Sequence, residues 1–123
     1  MNKFDSDAFY ERMYKFAKDC NSLLRELPRN AYNTEYSSQL IRSSASVGAN
    51  YIEAVDALST KDFIHRLKIS RKEARESIHW LRLIKDSNHF ISQIDSLIDE
   101  ANQIKKILTS SIITTEQSQF IKK

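Results

Sequence analysis

The sequence has very few of the residues that interrupt helices or cross-link chains. Its 123 residues include one glycine (Gly48), one proline (Pro28) and one cysteine (Cys20). So few turn-forming residues leave two alternatives, a small number of long helices or disorder. At 41% hydrophobic and 10% aromatic content, the chain is too apolar for disorder. A lone cysteine excludes an intramolecular disulfide, and its place among apolar helical positions favours a buried thiol.

The chain also lacks a long apolar run. No stretch of eighteen consecutive apolar residues is present, so no transmembrane helix is expected. The first residues, MNKFDSDAFYERMYK, are charged throughout and lack the apolar core of a signal peptide. We therefore expect a cytoplasmic protein with no membrane partner.

Apolar residues recur at spacings of three and four in four segments, which is the pattern of helices that bury one face. Pro28 ends the first segment, and Thr34, Ser59 and Ser92 are predicted N-caps of the next three. The predicted helices run from about residue 5 to 27, 35 to 58, 60 to 86 and 93 to 115.

Short loops between amphipathic helices imply antiparallel neighbours, so we predict an all-α, up-down-up-down four-helix bundle. The bundle domain is predicted over residues 1–115, with 116–123 as a polar, frayed tail. The predicted core is Phe9, Met13, Phe16, Cys20, Leu23, Leu27, Tyr36, Leu40, Ser44, Val47, Tyr51, Ala54, Leu58, Phe63, Leu67, Ser70, Ala74, Ile78, Leu81, Ile84, Ile94, Leu97, Ile98, Ala101, Ile104, Leu108 and Ile112.

A run of very small side chains, SSASVGANYIEA, lies within the second predicted helix. Ser44, Ala45, Gly48 and Ala49 occupy successive turns of that helix. Small side chains allow two helix backbones to approach closely, and this contact would offset the low helix propensity of glycine. A local weakness or kink at Gly48 is the alternative.

An apolar patch lies on the third predicted helix, away from its core face. Ile69, Trp80 and Leu83 fall within about 40° of one another on the helical wheel. In a monomer this patch would leave Trp80, the only tryptophan, in water. The cluster predicts a self-association surface, unless long neighbouring side chains or the tail cover it.

A basic strip follows one flank of the same helix, and it includes His79. Residues 61–87 have a net charge of +4, whereas the whole chain has +3. Such a strip is typical of phosphate binding, although a solvated face partly neutralised by Glu73 and Glu76 is the alternative. No aromatic or base-reading group accompanies the strip, so sequence-specific recognition is not indicated. The candidate nucleic-acid-binding residues are Lys68, Arg71, Lys72, Arg75 and Arg82.

A polar ridge of Arg42, Ser46, Asn50 and Glu53 follows the second helix. Arg42 and Glu53 are too far apart to pair, so we interpret the ridge as a subunit contact or a bond from Asn50 to a facing helix. We add Arg42, Asn50 and Glu53 to the predicted oligomer interface.

Two Glu-x-x-His-like spacings, Glu76–His79 and Asp62–His65, resemble half of a di-iron site. Both lie on the third helix, and Glu76 points away from the core, whereas a di-iron bundle needs such motifs on two helices. The histidines lack zinc-binding spacing, and no nucleophile–base pair or phosphate loop is present. We predict no catalytic residues, no metal and no cofactor, and hence no enzyme.

The segments QLIRSSASVGANYIEA and KDFIHRLKISRKEARESIHWLRLI resemble the 23S rRNA intervening-sequence protein family. That family is similar to the accessory variability protein of diversity-generating retroelements. The specific part of the match is an Arg-Ser…Ser-x-x-x-Asn-x-x-Glu framework. Many members have Ile-Pro where this chain has Val-Gly, and glycine where it has Ala54. The framework residues are Arg42, Ser43, Ser46, Asn50 and Glu53.

The resemblance implies a bundle that assembles into a ring, a homopentamer in characterised relatives. In the retroelement relatives a basic ring surface binds nucleic acid and a reverse transcriptase. We therefore expect a homo-oligomer that binds RNA or DNA, with RNA favoured. The alternative is a protein scaffold for a partner enzyme, with no direct contact to nucleic acid.

Overall fold

The computed structural model describes residues 4–89 and 91–122, with side chains as far as Gln119. Its four helices are α1 (Ser6–Arg25), α2 (Ala31–Val55), α3 (Thr60–Ser87) and α4 (Ile94–Lys122). Helices α1 and α3 lie diagonally across the bundle, because each contacts only α2 and α4. The predicted all-α, up-down-up-down bundle is confirmed.

The second helix begins earlier than the sequence predicted. Asn30 is its N-cap, and the Asn30 side chain accepts a hydrogen bond of 2.9 Å from the backbone N–H of Asn33. Thr34 is therefore inside the helix, and the prediction of a loop over residues 31–33 was wrong. Asparagine is at least as good an N-cap as threonine. The side-chain amides of Asn33 and Asn88 also hydrogen-bond to each other, and Asn88 is the C-cap of α3.

The other helix ends show one confirmed cap and three differences. The Ser59 side chain accepts from the backbone N–H of Asp62, so the predicted cap of α3 is confirmed. Helix α1 ends at Arg25, two residues before Leu27. Before α4, Gln93 has a φ of 74° and its carbonyl accepts from Leu97, so Ser92 lies one residue too early to cap that helix. The segment after Thr115 continues as helix to Lys122 instead of fraying.

The core agrees with the predicted apolar faces except at the end of α2. Because α2 ends at Val55, Leu58 falls in the loop and is fully exposed (101%), so its prediction as a core residue was wrong. Ile64, which the pattern did not select, is buried instead. Cys20 is fully buried, which confirms the predicted buried thiol, and burial raises the pKa of that thiol to about 12.

Small residues build the contact between α2 and α3, the most extensive pairing of the bundle. The Ser77 hydroxyl lies 2.9 Å from the Ser43 hydroxyl, and Ser70 donates to the carbonyl of Val47 at 2.7 Å. These serines are buried with all of their side-chain polar atoms bonded. Helix α2 therefore approaches α3 closely through serines, whereas two of the residues predicted for a close approach, Ala45 and Ala49, are exposed.

Gly48 faces the opposite neighbour, α1. A Cβ atom at this position would lie 3.5 Å from the Met13 Cβ and 3.6 Å from the Tyr10 ring, which is ordinary contact distance. Helix α2 runs unbroken through Gly48.

None of the helices in the described ranges has an apolar stretch that could cross a bilayer.

Candidate nucleic-acid interface

The exposed side of α3 is a continuous ridge of basic side chains. From Lys61 to Lys85, every exposed residue of this helix is lysine, arginine or histidine. These residues recur at spacings of three and four, so their side chains point the same way along about 36 Å of helix. We call this set the α3 ridge. It comprises Lys61, His65, Lys68, Lys72, Arg75, His79, Arg82 and Lys85.

Two acids in the central part of α3 are paired with a cation of α2. Arg42 on α2 donates to the Glu76 carboxylate at 2.6 Å and to the Glu73 carboxylate at 3.3 Å. Glu73 is buried and Glu76 half-buried on the α2 side of the helix. Arg42 therefore offsets the charge of both acids, while Glu76 still lies one turn from Lys72 and His79 of the ridge.

Glu73 is an unusual member of this cluster, because only 7% of it is exposed. Burial raises the pKa of the Glu73 carboxyl, and the charge of Glu76 adds to the rise, while Arg42 opposes it. One guanidinium thus serves two carboxylates that repel each other. The sequence pattern marked Arg42 but did not identify these partners.

The five predicted phosphate-binding residues differ in their freedom to reach a ligand. Lys68 lies 3.5 Å from the Glu116 carboxylate, and Arg71 is half-buried with a hydrogen bond of 3.3 Å to Thr109, both on α4. The remaining three are exposed on the α3 ridge. These are Lys72, Arg75 and Arg82.

The predicted apolar patch is more covered than the sequence indicated. Trp80 is half-buried and packs against the core, with its ring centroid 6.1 Å from that of Tyr36 on α2. The expectation that an isolated subunit leaves Trp80 in water was therefore wrong. Ile69 and Leu83 are also half-buried.

Aromatic side chains lie beside the basic ridge, contrary to the sequence expectation. The His79 ring is 4.8 Å from the Trp80 ring at an interplanar angle of 71°, and Trp80 in turn contacts Tyr36. We call Tyr36, Trp80 and His79 the aromatic trio. Tyr36 comes from α2, so the trio becomes visible only when the two helices are packed.

The polar ridge of α2 is largely satisfied within the subunit. Ser46 donates to the Arg42 carbonyl at 2.8 Å, and Asn50 donates to the Ser46 carbonyl at 2.9 Å. Asn50 thus bonds to its own helix, which corrects the expectation of a bond to a facing helix. Glu53 is exposed.

A groove between α1 and α2 is an apolar surface that the sequence pattern did not predict. Its floor is formed by Ala45, Gly48 and Ala49, and its walls include the exposed side chains of Tyr14 (57%) and Ile52 (42%). The small side chains of α2 leave about 360 Å³ open there. The sequence feature that could have identified this groove is the run of small residues in α2.

A larger cleft of about 700 Å³ opens at the end of the bundle where α1 begins. Its walls are mostly hydrocarbon, with Tyr51, Phe63 and Ile107 among them, and Lys106 is the charged side chain of the lining. The Ser6 and Tyr51 hydroxyls bond to each other at 2.6 Å. Among the lining residues that the structure describes, none forms a nucleophile–base pair for catalysis.

In the Glu76–His79 spacing, the two side chains do not share a common partner. Glu76 is engaged by Arg42, and His79 lies against Trp80, so the two residues face different neighbours. Within residues 4–89 and 91–122, no three His, Cys, Asp or Glu side chains are grouped as a metal site.

Comparison with known proteins agrees with the fold and with the resemblance in the central helices. The family model of the 23S rRNA-intervening sequence protein matches residues 6–110. A crystal structure of a protein of unknown function, from the S23 ribosomal protein family of Bacteroides thetaiotaomicron, is 32% identical. It covers 87% of this chain and 96% of its own, with a TM-score of 0.78. No curated protein matches the chain. The chain therefore belongs to the 23S rRNA-intervening sequence protein family.

Proposed function

We propose that the protein is a non-enzymatic, cytoplasmic bundle that self-associates into a ring and binds nucleic acid, RNA in particular, through the α3 ridge. The observation that supports this is the composition of the ridge, in which every exposed residue from Lys61 to Lys85 is basic or histidine. The proposal of five subunits and of a nucleic-acid partner comes from what the family resemblance implies.

The physical argument is electrostatic. Exposed lysines and arginines on one helix face create a field that attracts phosphates and release counterions when they bind. The pairing of Arg42 with Glu73 and Glu76 offsets two negative charges of the same helix. Flexible cations on a convex helix suit the sugar–phosphate backbone, and backbone contacts position a ligand without reading its sequence.

Fluorescence anisotropy with labelled generic RNA and duplex DNA tests the proposal. The variant Lys72→Glu/Arg75→Glu reverses two exposed charges of the α3 ridge. The matched control, Lys15→Glu/Arg25→Glu, reverses two exposed charges on α1, diagonally across the bundle. We expect the first variant to lose most of its affinity and the control to keep it. In wild type the affinity falls steeply as salt rises.

Two results would contradict this proposal. One is an affinity that does not change with salt concentration. The other is equal binding by the ridge variant and the α1 control. Circular dichroism on both variants shows whether each retains its helices, so that a loss of binding is not mistaken for unfolding.

For the ring, the structure offers two surfaces that separate variants can distinguish. The sequence-derived surface includes Ile69, Trp80 and Leu83, while the α1–α2 groove exposes Tyr14 and Ile52. Multi-angle light scattering of Leu83→Glu and Ile52→Glu identifies which surface joins subunits. We expect wild type to be an oligomer and one variant to be a monomer. A wild-type mass of about 14.3 kDa contradicts the ring.

The alternative function is a protein scaffold, and the α1–α2 groove is the observation that favours it. Exposed apolar walls around a floor of small residues suit a partner helix. The test is co-purification, after nuclease treatment, with a reverse transcriptase, which is the kind of partner that the family resemblance implies. The scaffold requires that Ile52→Glu abolish recovery while Lys72→Glu/Arg75→Glu retains it. Recovery lost on nuclease treatment contradicts the scaffold.

A further inference from the structure

We propose that the α3 ridge binds single-stranded nucleic acid and that an unpaired base stacks on the His79 ring. This inference rests on the proposed function and adds the class of ligand. It starts from the position of His79, which is exposed on the ridge one turn from Arg75 on one side and from Arg82 on the other. An aromatic ring thus lies between two cations of the strip.

The His79 ring is supported from behind. Its centroid lies 4.8 Å from that of Trp80 at 71°, an edge-to-face arrangement. Trp80 is itself held between the core and Tyr36, whose ring centroid is 6.1 Å away. This support restricts the motion of His79, so less conformational entropy is lost when a base stacks on it.

The combination of a basic track and a presented aromatic ring discriminates between ligand classes. In a duplex each base is already stacked and paired, so only phosphates and groove edges are available to a convex helix. In a single strand the bases expose their faces and stack on aromatic side chains while the backbone follows the positive charges. Because every base has such a face, stacking on His79 needs no sequence preference.

The test compares a labelled purine-rich RNA strand with the same strand annealed to its complement, using the full chain. We expect wild type to bind the single strand more tightly. His79→Ala should lower single-strand affinity about tenfold and leave duplex affinity unchanged. His65→Ala is the matched control, since His65 lies on the same ridge about 21 Å away along the helix.

Two further variants separate stacking from charge. His79→Phe keeps an aromatic face and should retain the single-strand preference. His79→Lys places a cation there without a ring, so the variant should lose that preference while its binding remains salt-dependent. Thermal unfolding of each variant shows that the fold is kept.

The outcomes distinguish this inference from the proposed function. Salt-dependent binding of both RNA forms with equal affinity, or equal effects of His79→Ala and His65→Ala, overturns the single-strand inference and leaves the proposed function standing. Absence of binding to either form overturns the proposed function and this inference with it. A preference that disappears in His79→Ala and returns in His79→Phe supports stacking.

Discussion

The Arg42 guanidinium on α2 reaches across to the Glu76 carboxylate on α3, with a closest distance of 2.6 Å. The same guanidinium lies 3.3 Å from the buried carboxylate of Glu73. This bridge joins the two helices with the most extensive contact in the bundle. It also offsets the charge of two acids of α3, so it links the stability of the fold to the charge of the candidate interface.

We predict that Arg42→Ala destabilises the fold, because it leaves the buried Glu73 carboxylate beside Glu76 without a cation. About half of the Arg42 side chain is exposed (52%), so screening limits the loss to about 1 kcal/mol in the free energy of unfolding. Urea denaturation measures it. The control Lys15→Ala, which breaks an exposed pair within α1, should change stability less. Equal losses of unfolding free energy in the two variants would show that the Arg42 bridge stabilises the fold no more than an exposed ion pair does.

The raised pKa of Glu73 predicts a pH dependence of stability. A carboxyl whose pKa is higher in the folded than in the unfolded state binds more protons when folded, so its contribution to stability increases as pH falls. The change occurs between the raised folded pKa and the ordinary value of 4.5, and it is complete below that value.

The measurement for Glu73 is the free energy of unfolding of wild type and Glu73→Gln over this pH range. Because Gln does not titrate, wild type should gain stability relative to the variant on acidification. A difference that stays constant, or that moves the other way, would show that burial does not control the titration of Glu73.

Gly48→Ala should stabilise the protein. The added Cβ meets Met13 and Tyr10 at ordinary contact distances, and α2 has helical geometry at this position. Alanine is favoured over glycine in a helix by about 0.5–1 kcal/mol. The matched reverse change, Ala49→Gly on the next residue of the same helix, should cost a similar amount. Thermal unfolding checks both, and a destabilised Gly48→Ala would mean that α1 and α2 approach more closely than the structure shows.

Glu116→Gln should increase affinity for RNA. Glu116 on α4 lies 3.5 Å from Lys68, so removing its charge frees a cation of the α3 ridge and takes away a nearby repulsion for phosphate. The slope of log affinity against log salt concentration should become steeper, by an amount that corresponds to at most about one added phosphate contact. The control is Glu100→Gln, whose partner is Arg12 on α1. A similar rise in both variants would indicate a general effect of net charge.

Much of the fold follows from the order of residues along the chain. The spacing of Phe9, Met13 and Phe16 identifies the buried face of α1, and the side chain of Ser59 caps α3 as predicted. The sequence was less reliable at helix ends, because capping strength differs little between Asn30 and Thr34. One misplaced end was enough to assign Leu58 to the core.

The candidate site was predicted in part. A helical wheel of α3 places Lys72, Arg75 and Arg82 on one exposed flank, and the structure agrees. The wheel treats each helix alone, so it contains no information on the register between helices. For that reason it could not show that Arg42 engages Glu73, or that α4 restrains Lys68.

The sequence by itself determined that the chain forms four amphipathic helices and that the charge of the third is one-sided, because both depend on residue spacing within one helix. Only the tertiary structure decided which charges remain free and which aromatic rings meet. The meeting of Tyr36 with Trp80 and the pairing of Arg42 with Glu76 depend on how α2 and α3 are aligned. That alignment is set by packing between helices, through the buried serines Ser43, Ser70 and Ser77.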